Sequence, residues 1–148
     1  MEHGYYLEDL APGMTAMFGK TITDADILMF AGVSGDTNPV HLNEEFACGT
    51  VFKGRIAHGM LTSSLISTVI GTKLPGPGCI YVSQNMKFLA PVRAGNTVRA
   101  IVTIKEVDHA KKRIVMETVC KVGDVPVVTG EAVIMVQRRP QEVQKPAA

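Results

Sequence analysis

The sequence predicts an α+β fold in which an antiparallel sheet of about five strands wraps one central apolar helix. Two patterns carry the prediction. The C-terminal half alternates apolar and polar residues through successive segments, and a helix-length stretch before it lacks any charge.

The strands come first. In Ile80, Val82, Met86 and Phe88 the apolar residues fall on even positions, with Ser83, Asn85 and Lys87 opposite. Val98, Ala100, Val102 and Ile104 repeat the pattern against Thr97, Arg99, Thr103 and Lys105. Arg113 to Val122 and Val127 to Val136 follow, joined by Gly123-Asp124 as a hairpin turn. Such alternation indicates an antiparallel sheet with one buried face. Met14 to Thr21 reads as a weaker fifth strand.

The central helix is His58 to Thr72, HGMLTSSLISTVIGT. From Gly59 to Thr72 it holds no charged residue, so it has no face suited to water. It is too short to cross a bilayer, and the sheet is the only element able to enclose it. Ahead of it, Thr23 and Asp26 form a capping box for a helix through Ile27, Leu28, Phe30 and Ala31, ended by Gly35. A short helix is expected from Asn43, with Glu44 and Glu45 in its first turn, where the dipole favours acids.

A chain of 148 residues fits one domain, placed at 1–138, with 139–148 expected to be a disordered polar tail. The formal net charge of +1 leaves no broad footprint for nucleic acid. Cys48, Cys79 and Cys120 form no CxxC pair, which argues against a disulfide framework or a zinc site and favours reduced thiols. The N-terminus, MEHGYYLEDL, carries acids and lacks a secretory apolar core, and no apolar run is long enough for a membrane. A soluble cytoplasmic protein is the expectation.

Two segments carry chemistry. In GDTNPVHLNEEFA, Asp36 and His41 lie five residues apart, which on one helix would set them roughly 140° apart. Pro39 breaks such a helix, and a turn through Asp-Thr-Asn-Pro can bring the carboxylate and the imidazole to one point. That pair suits water activation; an Asp capping a turn beside a surface His is the simpler alternative. In FKGRIAHGM, Gly59 opens the central helix. Its N–H, unobstructed by a Cβ, suits a carbonyl oxygen that turns negative, although a glycine there also permits close helix packing. Ser63, Ser64 and Ser67 are small enough to let the sheet approach, and no GxSxG elbow is present. His41 and His58 lack a nearby third ligand set in the sequence, so no metal is expected.

Together these segments resemble the MaoC-like hydratases, and specifically the (R)-specific enoyl-CoA hydratases. The motif stands here as Asp36, Asn38, Pro39, His41, Phe46 and Ala47, then His58, Gly59 and Met60. The similarity continues through Leu74 to Gly78 and Thr129 to Val133, nearly the whole chain. The resemblance implies a hot-dog homodimer that converts trans-2-enoyl-CoA to (R)-3-hydroxyacyl-CoA without a cofactor. It implies that Asp36 and His41 hold the water and that the Gly59 N–H binds the thioester oxygen. Ser67 then matches a serine near the water, and Ile70 and Ile134 match positions lining the acyl pocket.

Three other readings stay open. A (3R)-hydroxyacyl dehydratase acting on acyl carrier protein or CoA runs the same reaction backwards. A hot-dog thioesterase would release free thiol, and a binding module would leave an enoyl-CoA unchanged. Lys53, Arg55, Lys87 and Arg93 are candidate phosphate contacts, each also readable as an ordinary solvated charge.

Overall fold

Alternating side chains need a partner layer, and the five strands find one in a single helix. The computed structural model describes residues 3–140. Strands β1 (Thr15–Thr21), β2 (Ile80–Phe88), β3 (Thr97–Asp108), β4 (Arg113–Val122) and β5 (Val125–Met135) form one sheet in the order β1-β3-β4-β5-β2. Every neighbouring pair is antiparallel. Helix α4 (Gly59–Thr72) lies within the curve of the sheet, the hot-dog arrangement expected.

The core follows the alternation. Val98, Ala100, Val102 and Ile104 of β3 are buried, and so are Ile114, Met116 and Cys120 of β4. They pack in one cluster with Leu65, Ile66, Val69 and Ile70 of α4. Burying each such side chain contributes about 1.5–3 kcal/mol. The hairpin between β4 and β5 turns at Gly123-Asp124, with Gly123 at φ 57°, so β5 begins two residues before the expected Val127.

Strand β2 departs from expectation. Its even face was expected to be buried, yet Ile80, Val82 and Phe88 are 53%, 42% and 55% exposed. Among the described residues it is an edge strand, paired only to β5; Met86 packs against the core, while Ile80, Val82 and Phe88 stay about half exposed. The alternation is present; among the described residues its cover is partial.

Ahead of α4 lie α1 (Asp24–Ser34), α2 (Pro39–Leu42) and α3 (Glu44–Cys48). The expected capping box is formed: the Asp26 N–H donates to Thr23 Oγ1 at 3.1 Å, and the Thr23 N–H donates to Asp26 Oδ2 at 2.8 Å. Asn43 caps α3 through the Phe46 N–H. Gly35 ends the first helix, and Pro39 occupies the first turn of α2, where its missing N–H costs nothing.

Arg139, the first residue of the expected tail, is bonded to the domain. Arg139 donates to Asp9 at 2.6 Å and packs over the Tyr6 ring, and its N–H donates to Glu8 at 3.0 Å. Residues 141–148, most of that tail, lie outside the described residues. Among the described residues no helix is long and apolar enough to cross a membrane.

Candidate active site

Helix α1 ends at Gly35, whose left-handed backbone (φ 76°) turns the chain sharply into Asp36. Asp36 is exposed and sits in a short loop; the Asn38 N–H donates to its Oδ1 at 3.2 Å. The Asn38 side chain then caps α2, which carries His41 inward. Five residues on one helix would have parted the pair. Split between a loop and the next helix, they converge, as the sequence predicts.

His41 is buried, and its Nδ1 lies 2.8 Å from the Ile56 carbonyl. A carbonyl only accepts, so Nδ1 carries a proton, and in the uncharged ring Nε2 holds the lone pair. The Arg55 Nε donates to the His41 carbonyl at 2.7 Å, and its Nη2 donates to Asp24 at 2.8 Å. Arg93 donates to the Arg55 carbonyl at 3.0 Å and to the Phe52 carbonyl. These two arginines, read from sequence as candidate phosphate contacts, brace the segment that holds His41. Lys53 is exposed beside them; Lys87 lies on a different surface recess with Lys105 and Glu131.

Asp36 opens on a cleft of about 380 Å³, lined with it by Phe52, residues 56–60, Thr62, residues 88–92 and Val128; His41 stands beside Asp36 but outside the lining. One wall is the start of α4. His58 at its N-cap makes no side-chain bond to the first turn, so the Gly59 N–H is not capped. A Cβ on Gly59 would stand 2.6 Å from Phe88 Cε1, so the glycine also admits the Phe88 ring. The close-packing reading of Gly59 is therefore met. Phe88 and Ile56 were missed as site residues: one looked like an ordinary strand residue, and the other acts through its backbone.

The remaining expected residues lie elsewhere. Ser67 is exposed and outside the cleft lining; Ile70 and Ile134 are fully buried in the core. His58, by contrast, belongs here. It is 2% exposed, stacks on His41 with ring centres 3.9 Å apart, and its Nε2 lies 2.9 Å from the Asp36 carbonyl.

The expectation that no third ligand stands near the two histidines is corrected. The Asp36 carboxylate and one nitrogen from each imidazole lie within 4.8 Å of one another. With the rings tilted by only 30°, their in-plane lone pairs run side by side rather than meeting at one ion.

None of the thiols is poised as a nucleophile. A hydrogen bond to Glu44 raises Cys48, burial raises Cys79, and burial pushes Cys120 up to about 12.

Similarity to known proteins agrees with this site. The chain is 53% identical over 135 residues to an (R)-specific enoyl-CoA hydratase of Rhodospirillum rubrum, covering 91% of this chain and 94% of the relative. It is 46% identical over 134 residues to a 3-hydroxybutyryl-CoA dehydratase of Methylorubrum extorquens, covering 90% and 85%. An unliganded R-hydratase of Pseudomonas aeruginosa superposes with a TM-score of 0.85 at 38% identity, covering 98% of this chain and 96% of that one. Residues 10–125 match the MaoC-like domain model, and the chain belongs to the MaoC-like domain family.

Proposed function

We propose that this protein hydrates trans-2-enoyl thioesters to (R)-3-hydroxyacyl thioesters, and catalyses the reverse dehydration, with Asp36 and His41 as its catalytic pair. The observation that supports this most directly is their convergence beside an apolar cleft, which Asp36 lines and an uncapped helix N-terminus faces. The names of the relatives point the same way.

Hydration forms a C–O bond at C3 while negative charge grows on the thioester oxygen. Water held between Asp36 and His41 attacks C3, and the pair removes one proton from it and returns one to C2. The Gly59 N–H and the dipole of α4 stabilise the oxygen opposite. No cofactor enters the balance. The acyl group is carried as a CoA or acyl-carrier-protein thioester, and the reduced thiols suit a cytoplasmic setting.

A homodimer accompanies this reading. Among the described residues the outer edge of β2 pairs with no strand, and Ile80, Val82, Phe88 and Leu89 beside it are about half exposed. A second copy laid against that edge would satisfy the backbone and cover the apolar face.

Enoyl-CoA hydration followed by absorbance, with a thiol reagent in parallel and chiral analysis of product, tests the reaction. Loss of the enoyl band without thiol release, giving the (R)-alcohol, is expected. Thiol release would make it a thioesterase, and an unchanged substrate a binding module. Asp36→Asn and His41→Ala should each lower kcat by about 10²–10⁴-fold in folded protein. A folded variant with wild-type turnover would refute the pair.

A further inference from the structure

The loop carrying Asp36 is joined to the rest of the fold by one hydrogen bond. Between Gly35 and Asn38 the other bonds are local. The Gly35 N–H donates to the Ala31 carbonyl at 2.9 Å, Asp36 N–H to Ser34 Oγ at 3.2 Å and Thr37 N–H to the Gly35 carbonyl at 3.0 Å. The Asn38 N–H turns back to Asp36 Oδ1. Among the described residues the exception is the Asp36 carbonyl, which accepts from His58 Nε2 at 2.9 Å. His41 is better tethered, through Ile56 on its ring and Arg55 on its carbonyl.

We propose that His58 is a positioning residue that sets Asp36 against His41; the proposal rests on the reading of those two as the catalytic pair. His58 lies in the cleft wall, but at 2% exposure, with Nε2 on the Asp36 carbonyl and Nδ1 buried, it presents no free polar group to the cleft. It acts through both partners at once, by its N–H on the Asp36 carbonyl and by its ring stacked on His41 at 3.9 Å. Phe30 packs against the same ring at 4.9 Å. His58 also immediately precedes Gly59, so one residue links the pair to the helix end that faces it.

The alternative is that His58 merely fills space. Its Nδ1 argues otherwise. A carbonyl can only accept, so the proton resides on Nε2, and the buried Nδ1 has no partner among the described residues. A phenyl ring would fill the same volume and stack on His41 without burying an unpaired nitrogen. What the imidazole adds is the N–H to Asp36.

Two substitutions separate the roles. His58→Phe keeps the ring and removes the donor; His58→Gln keeps a donor and removes the ring. For His58→Phe, kcat should fall about 10- to 100-fold with KM changed less than about threefold and the thermal midpoint held. His58→Gln should recover more of kcat than His58→Phe even where it is the less stable protein. A space-filling role predicts the opposite order, with activity following stability, and a folded His58→Phe enzyme at wild-type kcat would overturn the proposal. Should His58→Phe fail to fold, ¹⁵N spectra of the unmodified protein decide. A proton on Nε2 with a bare Nδ1 is expected, and a proton on Nδ1 with a bare Nε2 overturns it. Wild-type protein that hydrates no enoyl thioester would remove the proposed function instead, while the ring spectrum would still report the tether.

Discussion

Gly59→Ala separates the two roles proposed for the first residue of α4. The added methyl would lie 2.6 Å from Phe88 Cε1 and 2.7 Å from Cδ1, well inside contact. Phe88 is 55% exposed, so its ring can swing toward solvent and the backbone need not move. Overpacking of this kind costs about 1–3 kcal/mol. The less flexible unfolded chain offsets about 0.4–1 kcal/mol of it, provided the backbone suits alanine, as a helical first turn does. The net loss is then about 0–2.6 kcal/mol, or up to roughly 10 °C in thermal midpoint for a domain of this size. Catalysis should suffer more. The methyl stands beside the N–H proposed to meet the thioester oxygen, and losing one such donor lowers kcat by about 10²–10³. Steady-state hydration of crotonyl-CoA and a thermal melt read the two effects separately. The double variant Gly59→Ala/Phe88→Ala removes the clash, with Phe88→Ala alone as its reference. Its stability should match that reference while kcat stays low. If kcat also returns to the reference value, Gly59 serves only to admit Phe88, and the oxyanion role falls.

Three further outcomes are expected. Sedimentation at micromolar concentration should give twice the chain mass, and Val82→Lys on the exposed face of β2 should shift it toward monomer; a fully active wild-type monomer would rule out the edge pairing. Asp26→Asn should cost about 0.5–2 kcal/mol near neutrality. The Thr23 backbone N–H, then its hydroxyl, holds the Asp26 carboxyl below its ordinary 3.8, so this stabilisation is complete above that value and lost as pH falls through the lowered one. The gap in melting temperature between wild type and variant should therefore close on acidification, and a widening gap counts against the capping role. Val128→Ala at the cleft wall, and Ile70→Ala or Ile134→Ala behind it, should favour longer enoyl-CoAs by about 0.8 kcal/mol per added methylene if the acyl chain runs along α4. Each core truncation costs about 2–5 kcal/mol, and a stable variant with an unchanged chain-length profile would place the tail elsewhere.

Much of the fold was legible because one physical cause dominated each element. The uncharged run from Gly59 to Thr72 has only one stable setting, inside a sheet, and it is there. The capping box at Thr23 and Asp26 is a local hydrogen-bond pattern, complete within four residues and independent of the rest of the chain. Strand β2 was legible only in part. Alternation shows which residues share a face, but not what covers that face, and at an edge strand the two come apart.

The site divides along the same line. Asp36, His41 and Gly59 were readable because their chemistry lies in a side chain or in the lack of one. The groups that orient them are backbone carbonyls at Ile56 and Asp36, and any residue type supplies a carbonyl, so no spacing in the sequence marks them. His58 was visible as a residue of the motif but not as a tether, since its value depends on a contact 22 positions away. Arg55 and Arg93 show the converse. Their charge drew attention as candidate phosphate contacts, whereas their observed bonds go to carbonyls that brace the His41 segment. In this site the proposed reacting groups are side chains, and much of the precision with which they meet resides in main-chain atoms that a sequence does not distinguish.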